Sequence, residues 1–197
     1  TPSASEVIAA AEEYLGATTG DNRHHEIIDG YNTYYPKSYT MTYGDPWCDA
    51  FLSWIFIKLN CVSLLGGVSA SVEEHIAYFK NRGIWLGLDN VTPQAGDIIC
   101  FDWNDDAYIF DHIGLVKSVE GTTITTVEGN HGDPGQVANG SYQTDDINIY
   151  GYARPEYGSG GGSGDSTYED TGSYYQTLDY IMQEFVNNED IGGMLWC

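Results

Sequence analysis

Gly44-Asp45-Pro46-Trp47-Cys48-Asp49-Ala50-Phe51-Leu52-Ser53-Trp54 is the stretch whose reading decides the fold. Asp45 is a fitting N-cap, and Pro46 falls at the first helical position, where its missing N–H costs nothing. Phe51, Leu52, Ile55, Phe56 and Leu59 then recur as one buried stripe, so a helix begins here with Cys48 in its first turn. Unsatisfied N–H groups and the positive end of the helix dipole favour thiolate over thiol at that position. Most free cysteines only fill space, and Cys61 and Cys100 are read as buried apolar thiols of that kind. Cys48 differs in that its helix follows irregular sequence directly, so its first turn can face a cleft.

Upstream, Ser3 and Glu6 have capping-box spacing, and Val7, Ile8, Ala11 and Leu15 follow at helical intervals up to Gly16. Between Thr18 and Gly44 lies tyrosine-, asparagine- and glycine-rich sequence, read as an irregular segment that walls a cleft. Downstream, Ser71 and Glu74 repeat the capping-box spacing and predict a helix to Arg82, with Gly83 as its stop. After Thr92-Pro93-Gln94-Ala95-Gly96 the period changes to short β runs at Asp97–Phe101, Ile113–Val119, Thr123–Glu128 and Ile147–Ala153. Helices first and strands second predict an α+β domain, helices packed on an antiparallel sheet, over residues 1–157. Residues 158–166 are a Gly/Ser-rich flexible linker. Residues 167–197 place Tyr174, Leu178, Ile181, Met182 and Phe185 at helical spacing, too little chain for a core of its own, so they read as a docked helix or the start of a second domain.

A thiolate nucleophile needs a base that takes its proton and returns it to the leaving amine. Of the five histidines, His112 is the best placed, at the head of a β run directly after Asp111. His24 and His25 fall in irregular sequence, His75 on a solvated helix and His131 in a turn, so each is read as a surface residue. Glu128 and Asn130, two apart on a strand, share a face, and either could orient the imidazole. Register decides between them. A two-residue turn at Glu120-Gly121 pairs His112 with Gly129 and turns Glu128 to the opposite face. A three-residue loop with Gly121 left-handed sets His112 across from Asn130, on one face with Glu128.

The nucleophile segment, then Pro93-Gln94-Ala95-Gly96-Asp97-Ile98, Phe110-Asp111-His112-Ile113-Gly114-Leu115-Val116 and Thr126-Val127-Glu128-Gly129-Asn130, resembles in order the CHAP family of cysteine, histidine-dependent amidohydrolases and peptidases. Ile149-Tyr150-Gly151-Tyr152-Ala153-Arg154-Pro155 looks like the family's last strand. The resemblance implies a papain-like fold of the NlpC/P60 type and cleavage of peptidoglycan amide bonds, with Cys48 as nucleophile, His112 as base, and Glu128 and Asn130 as supports. Tyr43, Trp47 and Asp111 are expected to meet substrate. Beyond the linker, the tail is faintly similar to the opening of a phage tail lysozyme-like domain.

Seven basic against 29 acidic side chains leave a formal charge of −22, which repels nucleic acid and anionic membrane surfaces. No run approaches the roughly 20 apolar residues of a membrane span. The expected partner is bacterial peptidoglycan, met outside the cell or in the wall by a phage-type lysin released without a signal peptide. Two further readings stand beside it: a thiol protease or deamidase acting on proteins, and a catalytically silent wall-binding module. No cofactor is required, and Cys48 with His112 alone does not specify zinc. Asp102, Asn104 and Asp106 form an oxygen-rich loop, a calcium candidate weighed against a solvated turn.

Overall fold

In the computed structural model, residues 1–103 and 111–159 are described. Most of the linker, the tail, and Asn104 and Asp106 of the calcium candidate lie outside the described residues. Four α-helices come first: α1 (Ala4–Glu12), α2 (Asn22–Thr33), α3 (Cys48–Lys58) and, after a 3-10 turn at Val62–Leu64, α4 (Val72–Arg82). Six strands follow: β1 (Trp85–Gly87), β2 (Ile98–Phe101), β3 (His112–Glu120), β4 (Thr123–His131), β5 (Gln136–Gln143) and β6 (Ile149–Ala153). They form one antiparallel sheet in the order β1-β6-β2-β3-β4-β5. This is the α+β, papain-like arrangement expected from the sequence.

Helix ends follow local chemistry. The Ser3 hydroxyl accepts from the Glu6 amide at 3.3 Å and the Glu6 carboxylate accepts from the Ser3 amide at 2.8 Å, the complete box. At α4 only half forms: Ser71 caps the Glu74 amide, but the Glu74 carboxylate accepts from Ser69 and Tyr78. Gly83, at φ +78°, closes that helix in the left-handed conformation that an L side chain avoids.

Four elements depart from the expectation. The supposedly irregular stretch contains α2, capped by Asp21 and burying His24, Ile27, Ile28 and Tyr31. Those positions have helical spacing, but two are polar or half-polar and Gly30 interrupts them, which hides the stripe from a hydropathy reading. Asp45 does not cap α3. That helix starts at Cys48 with Trp47 at the N-cap, while the Asp45 carboxylate accepts from the Thr42 amide at 2.7 Å and its hydroxyl at 3.0 Å. Strands β1 and β5 were not foreseen, being short and polar respectively.

The sheet has two unlike faces. Ile98, Cys100, Ile113, Leu115, Val127 and Val137 join the helices in the main core. On the opposite face Ile99, Phe101, Val116, Ile124, Ile149 and Tyr152 make a smaller second core. Asp97, wholly buried, ties the sheet's end to the last strand through a fork of two 2.8 Å hydrogen bonds from the Arg154 guanidinium. That pair joins two of the sequence blocks on which the family resemblance rests.

Candidate active site

Strand register decides whether Glu128 reaches His112, and the sheet settles it by a route that neither sequence alternative contained. The β3–β4 turn is two residues long, Gly121-Thr122, since Glu120 pairs with Thr123. Gly121 takes φ +60° there. The pairing then shifts by one between Val116 and Ser118, leaving Lys117 as a bulge, and resumes as Val116↔Thr126 and Leu115↔Val127. Continued by one residue, that register sets Gly114 beside Glu128, where a Cβ on Gly114 would stand 2.8 Å from Glu128 Cγ, and so puts Glu128 on the face of His112. The three-residue loop was expected to produce this outcome; a shorter turn and a bulge produce it instead.

Glu128 and His112 therefore meet. His112 Nε2 lies 2.7 Å from Glu128 Oε2. The carboxylate is wholly buried and collects more than one donor: His131 Nδ1 at 2.8 Å, the Tyr142 hydroxyl at 3.1 Å and the Thr126 hydroxyl. Burial pushes the Glu128 pKa up, but the hydrogen bonds from His112 and His131, the charge of His112 and the Thr126 hydroxyl outweigh it and bring it to about 2. Glu128 is thus an anion at neutral pH. An ionised carboxylate only accepts, so the neutral His112 ring carries its hydrogen on Nε2 and its lone pair on Nδ1.

Glycines make room for this carboxylate. A Cβ at Gly114 would stand 2.8 Å from Glu128 Cγ, and one at Gly140 would stand 2.2 Å from Glu128 Oε1. Around the imidazole, Phe101 is 6.0 Å and Trp103 6.3 Å from its centroid, and Trp103 stacks on Phe101 at 4.7 Å. His112 is 6% exposed and Trp103 40%, so the ring sits beneath a partly open aromatic edge.

Cys48 enters from the other layer. Helix α3 packs against β3 and β4, closely enough that a Cβ on Gly129 would meet Phe51 Cβ at 2.4 Å. The first turn of α3 thus lies on β4 at the level of Glu128 and Asn130. Among the described residues no side chain caps this helix, which leaves the positive end of its dipole beside the cysteine. Cys61 and Cys100 are the buried free thiols expected. Burial pushes the Cys61 pKa up to about 11 and that of Cys100 well above the ordinary thiol value. The Cys48 sulfur is in a disulfide, so thiol chemistry at this position belongs to the reduced form.

The remaining expected residues have distinct places. Asn130 is left-handed, φ +52°, at a second irregularity where β4 slips against β5 between Glu128 and His131. A Cβ at Gly135 would fall 2.0 Å from Asn130 Oδ1, so glycine leaves space for that amide. The Asp111 carboxylate accepts from the Trp103 amide at 2.5 Å. Tyr43 is 43% exposed, stacked on His25 at 3.8 Å and hydrogen-bonded to Asp29 at 2.8 Å. Trp47 is 1% exposed and donates its indole N–H to the Thr19 hydroxyl at 3.0 Å.

Three histidines were misplaced by the sequence reading. His24 and His75 are fully buried, and His131 belongs to β4, not to a surface turn. On a regular strand residues three apart point to opposite faces. The left-handed Asn130 breaks that alternation and returns His131 to the side of Glu128. The Asn-His pair after a β run was the available signal, since asparagine tolerates φ > 0 better than other side chains.

The family model described as the CHAP domain matches residues 38–130. Residues 38–130 belong to the CHAP family. The matched span runs from before Cys48 through Asn130, so the CHAP domain contains each of the four residues singled out for catalysis. CHAP domains are hydrolases of the cysteine, histidine-dependent amidase kind. One solved structure, titled "The crystal structure of Ly7917", is similar with a TM-score of 0.49 and 18% identity, over 78% of this chain and 62% of that one. The chain thus spans less than two thirds of the length of that protein. No curated protein sequence matches.

Proposed function

We propose that this CHAP domain hydrolyses amide bonds of bacterial peptidoglycan through Cys48, as an N-acetylmuramoyl-L-alanine amidase or a peptide-bridge endopeptidase. The observation that carries the reading is the buried 2.7 Å contact between His112 Nε2 and the anionic Glu128. It leaves Nδ1 as the basic atom of the ring. In the reduced protein, that nitrogen takes the Cys48 thiol proton as the sulfur attacks the scissile carbonyl. The amine leaves with the same proton, and an acyl-thioester remains on Cys48. Water, deprotonated by His112, then releases the acid and restores the thiol. Glu128 stabilises the imidazolium in both steps, and Asn130 lines the same strand end as a polar support.

The test compares the wild-type chain with Cys48→Ala on purified peptidoglycans of several chemotypes, in the presence of a thiol reductant. New amino groups that are absent with Cys48→Ala are expected, without new reducing ends. The masses of the fragments then separate amidase from endopeptidase. Absence of amine release from every wall, with cleavage of a protein substrate instead, would overturn the peptidoglycan assignment.

A further inference from the structure

Beyond the cysteine chemistry, the same strand end holds three metal-ligating side chains. One donor atom from each of His112, Glu128 and His131 lies within 4.8 Å of the others. His112 Nε2 and His131 Nδ1 converge on a single oxygen, Glu128 Oε2, at 2.7 and 2.8 Å. We propose that His112, Glu128 and His131 form a binding site for a divalent transition-metal ion of the zinc class, and that its occupancy switches the hydrolase off.

Two imidazoles and one carboxylate are a donor set that suits zinc and its neighbours, whereas calcium and magnesium prefer oxygen. Metal–ligand bonds of about 2.1 Å place tetrahedral donors about 3.4 Å apart, so the two contacts to Oε2 need only open by about 0.6 Å. The carboxylate is also oriented from behind, by the Tyr142 hydroxyl at 3.1 Å on Oε2 and the Thr126 hydroxyl on Oε1. Outer contacts of this kind fix a metal-binding carboxylate. Access comes from the side of His131, whose side chain is 36% exposed while that of Glu128 is wholly buried. The chain's net charge of −22 raises the local concentration of cations.

Silencing follows from the tautomer. A metal on His112 Nε2 needs the lone pair there, so the ring hydrogen moves to Nδ1. That nitrogen then has no lone pair for a thiol proton, and Glu128 is turned from the imidazolium to the ion. The inhibitory half of the proposal rests on His112 acting as the base; the binding half does not.

Binding is read first without any turnover, on the Cys48→Ala chain, where no thiolate at that position competes as a ligand. Cobalt(II) is expected to bind with one equivalent and a visible ligand-field spectrum, to be displaced by zinc and not by calcium or magnesium, and to bind at least about 10-fold more weakly in the Cys48→Ala chain carrying His131→Gln. In the otherwise unaltered chain, zinc should shift the ring-nitrogen NMR signals of His112 and His131 and leave those of His24, His25 and His75 in place, a readout independent of how the His131 variant folds. Equal affinity with and without His131, or shifts at the other histidines instead, would overturn the site. Zinc should then lower amine release by the reduced wild-type protein and a chelator should restore it; binding without inhibition would overturn the silencing. Failure of the peptidoglycan assignment would leave the cobalt spectrum unchanged.

Discussion

Asp49 follows Cys48 directly, and its buried Oδ1 lies 2.6 Å from Nδ1 of the equally buried His75. Burial raises the Asp49 pKa and the histidine pulls it back. Phe79 stacks on the imidazole at 4.5 Å, and neither Asp49 Oδ2 nor His75 Nε2 has a hydrogen-bond partner among the described residues. A polar pair set in an apolar core is costly to break singly, since the survivor stays buried and unpaired, at about 3–5 kcal/mol. Replacing both partners by apolar groups of similar volume is often neutral. Asp49→Leu and His75→Phe are therefore each expected to lower the denaturation midpoint strongly, and the double variant to recover most of the loss. Denaturant unfolding of the four proteins in a mutant cycle checks this; additive losses would mean the pair is uncoupled. His75 also shows where sequence reading fails. Its neighbours Glu73 and Glu74 suggest a solvated face, and the partner that makes its burial tolerable lies 26 positions away.

At the scale of elements, α2 and α3 meet through Gly30, where an added Cβ would lie 2.3 Å from a ring carbon of Trp54. Propensity alone favours alanine over glycine inside a helix by about 1 kcal/mol. Overpacking a fixed ring costs about 1–3 kcal/mol and reverses the sign. Gly30→Ala should thus destabilise the domain, while Gly30→Ala with Trp54→Leu, which removes the obstructing ring, should lose less than the sum of the two. Thermal unfolding of the three variants is the measurement. The same contact explains why α2 was illegible. Its glycine serves a neighbouring helix and breaks the very stripe that would have announced it. Elements whose reasons are local were readable in advance: the box at Ser3, the cap at Ser71, the stop at Gly83, the short β runs of β2 to β4. The His112–Glu128 pair was readable only as a choice between registers, because the bulge at Lys117 leaves no mark in the sequence. His131 depended on the conformation of one asparagine, and so the third ligand of the proposed metal site was out of reach.

Over the whole molecule, seven cations face 29 anions, and four of the seven are tied up in ion pairs. Lys58, Arg82, Lys117 and Arg154 pair with Glu13, Glu156, Glu12 and Asp97. Arg23 and Lys37 donate to backbone carbonyls, and Lys80 lies over Trp85. If the substrate is the proposed wall and that wall bears anionic polymers, the net charge opposes the approach. Screening shortens the reach of that repulsion from about 30 Å at 0.01 M salt to about 8 Å at 0.15 M. The rate of amine release from intact walls is expected to rise with monovalent salt across that interval. On a small uncharged peptidoglycan fragment, which feels no such field, the rate should stay flat. Sodium chloride with a metal chelator present separates this effect from the metal site, because monovalent ions do not replace zinc at two imidazoles and a carboxylate. A rate on intact walls that falls as salt is added would show attraction governing the encounter, and would point to a substrate of opposite charge.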